Sequence, residues 1–170
     1  MTETIDVARR RFFTASVKQV DPTTLRLPWS KSEDNFTQNC TQCQKCLPAC
    51  ETNIIKRDRQ GFPYVDFSQD ECTFCQKCVD VCEVDMFDDP STTKAWHAEV
   101  LISDKCLAKN NIYCQSCRDV CDARVINFPL ALNQTPQPEI IQQDCTACGA
   151  CVSTCPQDAM TLSLVESSYE

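Results

Sequence analysis

The sequence predicts an α+β fold made of two tandem modules that follow an N-terminal extension. The first observation behind this prediction is that all sixteen cysteines of the 170-residue chain fall into four groups of four, which recur every 32–39 residues. An internal repeat of this length indicates one supersecondary unit per repeat. The second observation is that strand-like runs and turn residues follow the cysteine groups, which is the pattern of β-hairpins.

The spacing of the cysteines indicates what they bind. Three groups read C-x2-C-x2-C-x3-C, and the third group along the chain is a stretched C-x7-C-x2-C-x3-C. Bacterial ferredoxins hold cubane iron–sulfur clusters with thiolates at this spacing. The sequence therefore predicts two bacterial ferredoxin-like modules built around four 4Fe-4S clusters. The sixteen candidate iron ligands are Cys40, Cys43, Cys46, Cys50, Cys72, Cys75, Cys78, Cys82, Cys106, Cys114, Cys117, Cys121, Cys145, Cys148, Cys151 and Cys155.

Each cluster is expected to take its ligands from two groups. Gaps of two residues let three successive cysteines face inward from one tight loop, and in two-cluster ferredoxins the fourth ligand is the last cysteine of the other group. Pairing the groups first with second and third with fourth assigns Cys82, Cys50, Cys155 and Cys121 as the fourth ligands of the first, second, third and fourth groups. A nested arrangement, second with third and first with fourth, stays open.

The segments between the groups support this pairing. The expected hairpins join residues 53–58 to 63–68 and residues 124–132 to 138–142. Residues 97–103 read as a strand that can lie antiparallel to the closing strand, residues 159–166, and this closes a unit from the third and fourth groups. A short helix is expected to begin near the fourth cysteine of each group, where the acidic residues Glu51, Glu83 and Asp122 follow the first three groups and suit a helix start. The predicted boundaries are an extension at 1–31, a first module at 32–90 and a second module at 91–170.

The loops are not all alike in sequence. Gly61 suits a hairpin turn with positive φ, and Gly149 is expected to let the loop backbone pass close to a cluster. Gln44 and Gln76 occupy the corresponding position in the first two groups, so those loops are expected to differ in detail.

The third group carries a seven-residue insertion. This insertion, residues 107–113, must loop outward before Cys114 returns to the site. A 4Fe-4S cluster is predicted there, with a three-iron or labile cluster as the alternative. Structural zinc is the competing metal, but it usually uses two cysteine pairs separated by a dozen or more residues.

Charge and hydropathy restrict the partners and the location. Residues 1–31 carry a net charge of +3 and the remainder carries −11, for a total of −8. An acidic body argues against nucleic acid, whose backbone requires a basic surface. Arg9–Phe13 resemble a twin-arginine export motif, but the roughly 7–15 apolar residues of an export signal do not follow. A cytoplasmic protein without a membrane span is therefore predicted.

Three further features carry a resemblance to a known family. They are the LRLPWS segment at residues 25–30, the TKAW segment at residues 93–96, and the stretched third group. Together with the early arginines, they resemble the NapF-type ferredoxin-like accessory proteins of the periplasmic nitrate reductase system. The family commonly reads RPPW, and Leu27 replaces its first proline here.

The resemblance implies a cytoplasmic protein that contacts the molybdenum-containing catalytic subunit of the periplasmic nitrate reductase and assists its maturation before export. Residues 1–31 would then capture that partner. The sequence pattern identifies no catalytic nucleophile and no acid–base pair, so the chain is not predicted to be an enzyme. The alternative functions are an electron-transfer subunit of an oxidoreductase complex and a scaffold that donates clusters.

Overall fold

The structure, a computed structural model, describes residues 25–130, 132 and 134–165. Most of the basic extension, residues 1–24, and the end of the predicted closing strand at residue 166 lie outside the described residues. None of the helices in the described part of the chain is long and apolar enough to cross a membrane.

Five α-helices are described, and four of them belong to the cysteine loops. The first helix, α1, spans Glu33–Asn39, and Ser32 caps it by accepting a hydrogen bond from the Asn35 amide. The four loop helices are α2 (Cys46–Ala49), α3 (Lys77–Asp80), α4 (Ser116–Asp119) and α5 (Ala150–Ser153). Each contains the third cysteine of its group and ends before the fourth. The prediction that they begin near the fourth cysteine was wrong, because the chain already turns into the helix at the third.

Three two-stranded antiparallel sheets surround these loops. The strands are β1 (Ile55–Arg57), β2 (Pro63–Val65), β3 (Ala98–Ile102), β4 (Ile126–Asn127), β5 (Glu139–Ile140) and β6 (Met160–Leu164). β1 pairs with β2, β4 pairs with β5, and β3 pairs with β6. The predicted pairing of the strand before the third group with the strand after the fourth is confirmed, with Val100 opposite Leu162. A 3₁₀ helix at Gln142–Asp144 leads into the fourth group.

The segment at residues 25–30 lies inside the packed structure. Leu25, Leu27 and Trp29 are buried, and the Val65 amide donates a hydrogen bond of 2.8 Å to the Leu25 carbonyl. Ser30 forms an isolated bridge with Phe87 in the first half of the described chain, residues 25–90. In the second half, residues 91–165, the β3–β6 ladder occupies the corresponding place. The domain boundary at residue 31 remains a prediction, but residues 25–30 contribute to the core of the body.

Arg26 is a buried charge with a full set of partners. Its guanidinium donates to both carboxylate oxygens of Glu33, to Asp58 at 3.0 Å and to the Pro63 carbonyl at 3.2 Å. It also lies 5.1 Å from the centre of the Phe36 ring, whose side chain is fully buried. Burial alone would lower the pKa of Arg26, but the two carboxylates outweigh burial and raise it. Arg26 therefore stays charged and ties residues 25–30 to α1 and β2.

The two short segments that carry the family resemblance pack against each other. The Trp29 amide donates to the Ala95 carbonyl at 2.8 Å, and the Trp29 indole donates to the Thr93 carbonyl at 3.3 Å. In return, the Trp96 indole donates to the Arg26 carbonyl at 2.9 Å. We call this contact between residues 25–30 and residues 93–96 the joint, since it connects the start of the described chain to the linker between the two halves.

Candidate metal centres

Three of the cysteine loops share one backbone conformation. In each, the residue before the second cysteine and the residue after it have positive φ, in the left-handed region. These residues are Gln42 and Gln44, Phe74 and Gln76, and Ala147 and Gly149. Left-handed residues turn the chain sharply, so the first three cysteines of a group face one volume. The expected difference between the first two loops and the fourth was wrong, because Gln44 and Gln76 adopt the conformation that Gly149 adopts.

The stretched third group reaches its site differently. Its insertion closes on itself, because the Ile112 amide donates to the Leu107 carbonyl at 2.9 Å and Asn111 has positive φ. Ile112 and Tyr113 are exposed, as an outward loop requires, while Ala108 is buried. After the insertion the chain returns to the site at Cys114. Cys106, Cys114 and Cys117 therefore still line one cavity.

The described loops bring the sixteen predicted ligands together in four sets. Each set lines one cavity and consists of three cysteines from one group and the last cysteine of the paired group. Site 1 contains Cys40, Cys43, Cys46 and Cys82; site 2 contains Cys72, Cys75, Cys78 and Cys50; site 3 contains Cys106, Cys114, Cys117 and Cys155; site 4 contains Cys145, Cys148, Cys151 and Cys121. This geometry favours pairing first with second and third with fourth over the nested arrangement. Ligation by all sixteen remains a prediction.

Apolar side chains complete the walls of the cavities. Leu27 and Met86 line site 1, Pro28 and Trp29 line site 2, and Phe128 lines site 3. The site 4 cavity is larger, about 410 Å³, and extends along the loop of the second group. Sequence reasoning missed residues 27–29 as site residues because it assigned the LRLPWS segment to partner binding. The position of an apolar segment just ahead of the first group was the available signal.

Backbone amides point at the cysteine sulfurs. The Phe74 amide donates to the Cys72 Sγ at 3.4 Å, and the Ala147 amide donates to the Cys145 Sγ at the same distance. The Ala159 amide donates to the Cys155 Sγ at 3.3 Å. Such bonds stabilise a thiolate more than a thiol, because the acceptor is then charged. The loops are therefore shaped for deprotonated cysteines.

The pKa values of the buried thiols indicate that the sites require metal ions. Burial raises the pKa of Cys46 and Cys117 to about 11, and that of Cys78 and Cys151 to about 12. These are the third cysteines of the four groups. Charge on neighbouring cysteines adds to the effect, since like charges disfavour further ionisation. Four thiolates can share such a cavity only when metal ions neutralise them, so the donor set fits a polynuclear iron–sulfur cluster.

One cysteine of the first group stands apart. Cys43 is exposed, and its thiol has a lowered pKa, chiefly because the Lys45 amide donates a hydrogen bond to it. Cys75, at the equivalent place in the second group, is exposed as well. Sites 1 and 2 therefore each have one ligand at the surface, and site 2 also has a buried ligand, Cys78.

Reciprocal ion pairs connect the first and second groups. Lys45, next to the third cysteine of the first group, pairs with Glu83, which follows the last cysteine of the second. Lys77 pairs with Glu51 in the equivalent arrangement. The first half of the chain therefore has an approximate two-fold symmetry that extends beyond its cysteines.

Gly149 is required by a close approach that the sequence did not reveal. Its φ is +88°, and a Cβ atom built there would lie 2.1 Å from a carbon of the Phe67 ring. Phe67 belongs to the first half and packs edge-on against Trp96, with ring centroids 5.7 Å apart. The predicted reason for this glycine was the cluster, but its neighbour in the structure is an aromatic side chain of the other half.

The comparison with known families agrees with this geometry. Residues 39–86 and 111–159 match the family model of the 4Fe-4S dicluster domain. The chain is thus an iron–sulfur protein of the ferredoxin type, with two dicluster segments in tandem and a mixed helix and strand fold. The second match begins at residue 111, inside the insertion. Cys106 therefore lies before the match, and Cys114 lies within it.

The chain is also similar to curated proteins over most of its length. It is 38% identical over 157 residues to the ferredoxin-type protein NapF of Escherichia coli strain K12, covering 92% of this chain and 94% of that protein. It is 42% identical over 138 residues to the ferredoxin-type protein NapF of Haemophilus influenzae, covering 81% of this chain and 78% of that protein. The chain belongs to the NapF family of ferredoxin-type proteins, and the resemblance noted in the sequence is confirmed.

Proposed function

We propose that this chain is a cytoplasmic protein with four 4Fe-4S clusters that binds the molybdenum-containing catalytic subunit of periplasmic nitrate reductase and assists its maturation before export. Its membership of the NapF family supports the link to nitrate reductase. The observation that carries the cluster number is the gathering of sixteen cysteines into four sets of four.

In this proposal the sixteen cysteines are the iron ligands and the protein is not itself an enzyme. When bound, each cluster supplies one-electron redox chemistry. The chain supplies the thiolates, the amide donors to sulfur and the apolar walls that exclude water from the buried ligands. Anaerobic purification with iron and sulfide analysis should give about sixteen irons per chain, and about twelve would indicate that one site, first of all site 3, does not hold a four-iron cluster.

Partner capture is proposed to reside in residues 1–24 rather than in the whole extension. Arg26 and Lys31 contribute to the net charge of residues 1–31, but they are paired within the body with Glu33, Asp58 and Asp85. The available basic feature is then the run of three arginines, Arg9, Arg10 and Arg11. Deleting residues 25–31 as well would remove buried core residues, and would confuse loss of binding with loss of folding.

The test is anaerobic co-purification of the catalytic-subunit precursor with three forms of the protein. These are the full chain, a form that lacks residues 1–24, and a control that lacks residues 166–170. We expect the N-terminal deletion to keep its iron and lose the precursor, while the control keeps both. Capture of the precursor by an iron-loaded chain without residues 1–24 would contradict the assignment.

The alternative function is an electron-transfer subunit, and the contact between the loops of the second and fourth groups favours it specifically. A pure relay should bind the assembled reductase at least as well as the precursor, and its iron content should stay constant during turnover. A maturation protein should prefer the precursor. Iron loss from this chain to the apo-reductase would instead support the cluster-donating scaffold.

A further inference from the structure

We infer that the four cysteine sites form an open row in the order site 1, site 2, site 4, site 3, and that the contact between Cys72 and Cys148 is the junction between the two halves. This inference rests on the proposed occupation of all four sites. It adds an order of adjacency that neither the cysteine spacing nor the family membership contains.

Within each half, the exchanged fourth cysteine makes two sites neighbours. Cys78 is a ligand of site 2, yet it also lines the cavity of site 1. In the second half, the loop helices α4 and α5, which contain Cys117 of site 3 and Cys151 of site 4, pack against each other. Site 1 therefore adjoins site 2, and site 3 adjoins site 4.

Between the halves, sites 2 and 4 are joined by backbone. The Cys72 amide donates a hydrogen bond of 2.8 Å to the Cys148 carbonyl, and both residues are predicted ligands. Cys72, Thr73 and Phe74 of the second group also line the cavity of site 4. One peptide contact thus separates a ligand of site 2 from a ligand of site 4.

Aromatic packing holds this junction in place. The Phe67 ring lies against Gly149, next to Cys148, and Trp96 packs against both Phe67 and Phe74. Phe74 in turn lines the cavities of sites 2 and 4. Side chains of both halves therefore pack around the junction between the two inner sites.

The outer sites end at the surface. Site 1 has the exposed Cys43, and site 3 has the insertion with the exposed residues Ile112 and Tyr113. In such a row an electron passes between neighbouring clusters by reducing one and oxidising the other, with no proton and no bond exchanged. A partner at either end would then communicate with the other end only through sites 2 and 4.

Paired substitutions of the second cysteine in each group test the order, because each pair leaves one cluster in each half. Cys43→Ala with Cys114→Ala leaves sites 2 and 4, and the matched variant Cys75→Ala with Cys148→Ala leaves sites 1 and 3. After dithionite reduction, we expect spin–spin splitting in the electron paramagnetic resonance spectrum of the first variant. The second should show two separate spectra without splitting.

Two mixed variants complete the set. Cys43→Ala with Cys148→Ala leaves sites 2 and 3, and Cys75→Ala with Cys114→Ala leaves sites 1 and 4, and neither should show the splitting. Iron analysis should give about eight irons in every variant. Splitting in the variant that keeps sites 1 and 3, or none in the one that keeps sites 2 and 4, overturns the row. Fewer than about sixteen irons in the unaltered protein would instead contradict the four-cluster proposal.

A second measurement needs no substitution and covers the case in which a variant loses both clusters. In the unaltered, iron-loaded protein, the Cys72 amide should exchange its hydrogen slowly, because it is donated to Cys148 across the junction. Exchange at the rate of an unstructured peptide would mean that the junction does not form, and the row would be wrong.

Discussion

Three of the four cysteine loops share one backbone conformation, but the two halves of the molecule support their loops differently. The first half packs large apolar side chains around its loops, among them Leu27, Phe36 and Phe62, and anchors them with the buried Arg26. The second half relies on the five-residue β3–β6 ladder and on small residues such as Ala147 and Ala159. All the exposed large apolar residues of the described chain lie in this half, between Leu101 and Val165.

A cluster site requires the correct ligand geometry and also support around its cysteine loops, and the two halves show that these requirements are met separately. The ligand geometry follows from cysteine spacing and two left-handed residues, and these recur in both halves with different residue types. The support around the loop has no such rule, since ion pairs and an aromatic core in one half are replaced by strand pairing in the other. The second half should therefore depend more on its clusters for its stability, because ligation energy is folding energy.

Removal of iron should produce the largest effect and should expose this asymmetry. When an iron chelator strips the protein under oxidising conditions, we expect helix and strand content to fall and hydrogen exchange to rise first in residues 98–165. Residues 25–87 should follow later, because they bury more large side chains. Hydrogen exchange followed by mass spectrometry measures the order, and simultaneous loss would show that the halves are equally dependent.

Gly149→Ala should have the next largest effect, and Gly61→Ala is its matched control. Both glycines have positive φ, so an alanine costs about 1–2 kcal/mol at either position. At Gly149 the new Cβ also overlaps the Phe67 ring, whereas at Gly61 its nearest neighbour is the flexible side chain of Gln42 at 3.0 Å.

We therefore expect Gly149→Ala to lose the iron of site 4, about a quarter of the total, while Gly61→Ala keeps the full content. Iron and sulfide analysis of the two purified variants makes the comparison. Equal iron content would show that the packing of Phe67 on this loop does not support site 4.

Arg26→Met should destabilise the first half by an intermediate amount. The substitution leaves the carboxylates of Glu33 and Asp58 without their cation, at a cost of about 2–3 kcal/mol, since those carboxylates are partly exposed to water. The Tm should fall by about 5–10 °C, whereas Arg57→Met, which alters an exposed arginine of β1, should leave it nearly unchanged. Loss of cluster absorbance on heating reports the Tm, and an equal fall in both variants would contradict a special role for Arg26.

Lys45→Gln should have the smallest effect. Its pair with Glu83 is exposed, and the second half has Ala150 in the equivalent place and therefore no such pair. Exposed ion pairs contribute little, since water and salt screen them. Iron content and Tm should match those of the unaltered protein, and a clear loss of iron would show that the reciprocal pairs are needed to close sites 1 and 2.

The strand-like segments between the groups predicted the pairing of the closing strands, and the cysteine spacing was sufficient to predict that three cysteines of each group lie together, because this follows from local loop geometry. It was not sufficient to reveal the packing of residues 25–30 against residues 93–96. That packing depends on long-range contacts between single side chains, such as Trp96 with the Arg26 carbonyl, and no periodic pattern precedes them.

The helix positions illustrate the same limit on a smaller scale. The expected start near the fourth cysteine treated the acidic residues Glu51, Glu83 and Asp122 as helix-start residues. In the structure they follow the helices, and two of them pair with lysines of the opposite loop. The sequence predicted a favourable electrostatic role for these residues. For Glu51 and Glu83 the positive partner is a lysine of another repeat and not a helix terminus.

The joint also determines when the molecule can close during its own synthesis. A ribosome releases Arg26 and Trp29 early, but their partners Trp96 and Thr93 follow 70 and 64 residues later. Until residue 96 has emerged, Pro28 and Trp29 cannot be fixed over site 2, although all the cysteines of the first half are already outside the ribosome. The nascent chain therefore passes through an interval in which site 2 is accessible from that side, and this access ends when the joint forms.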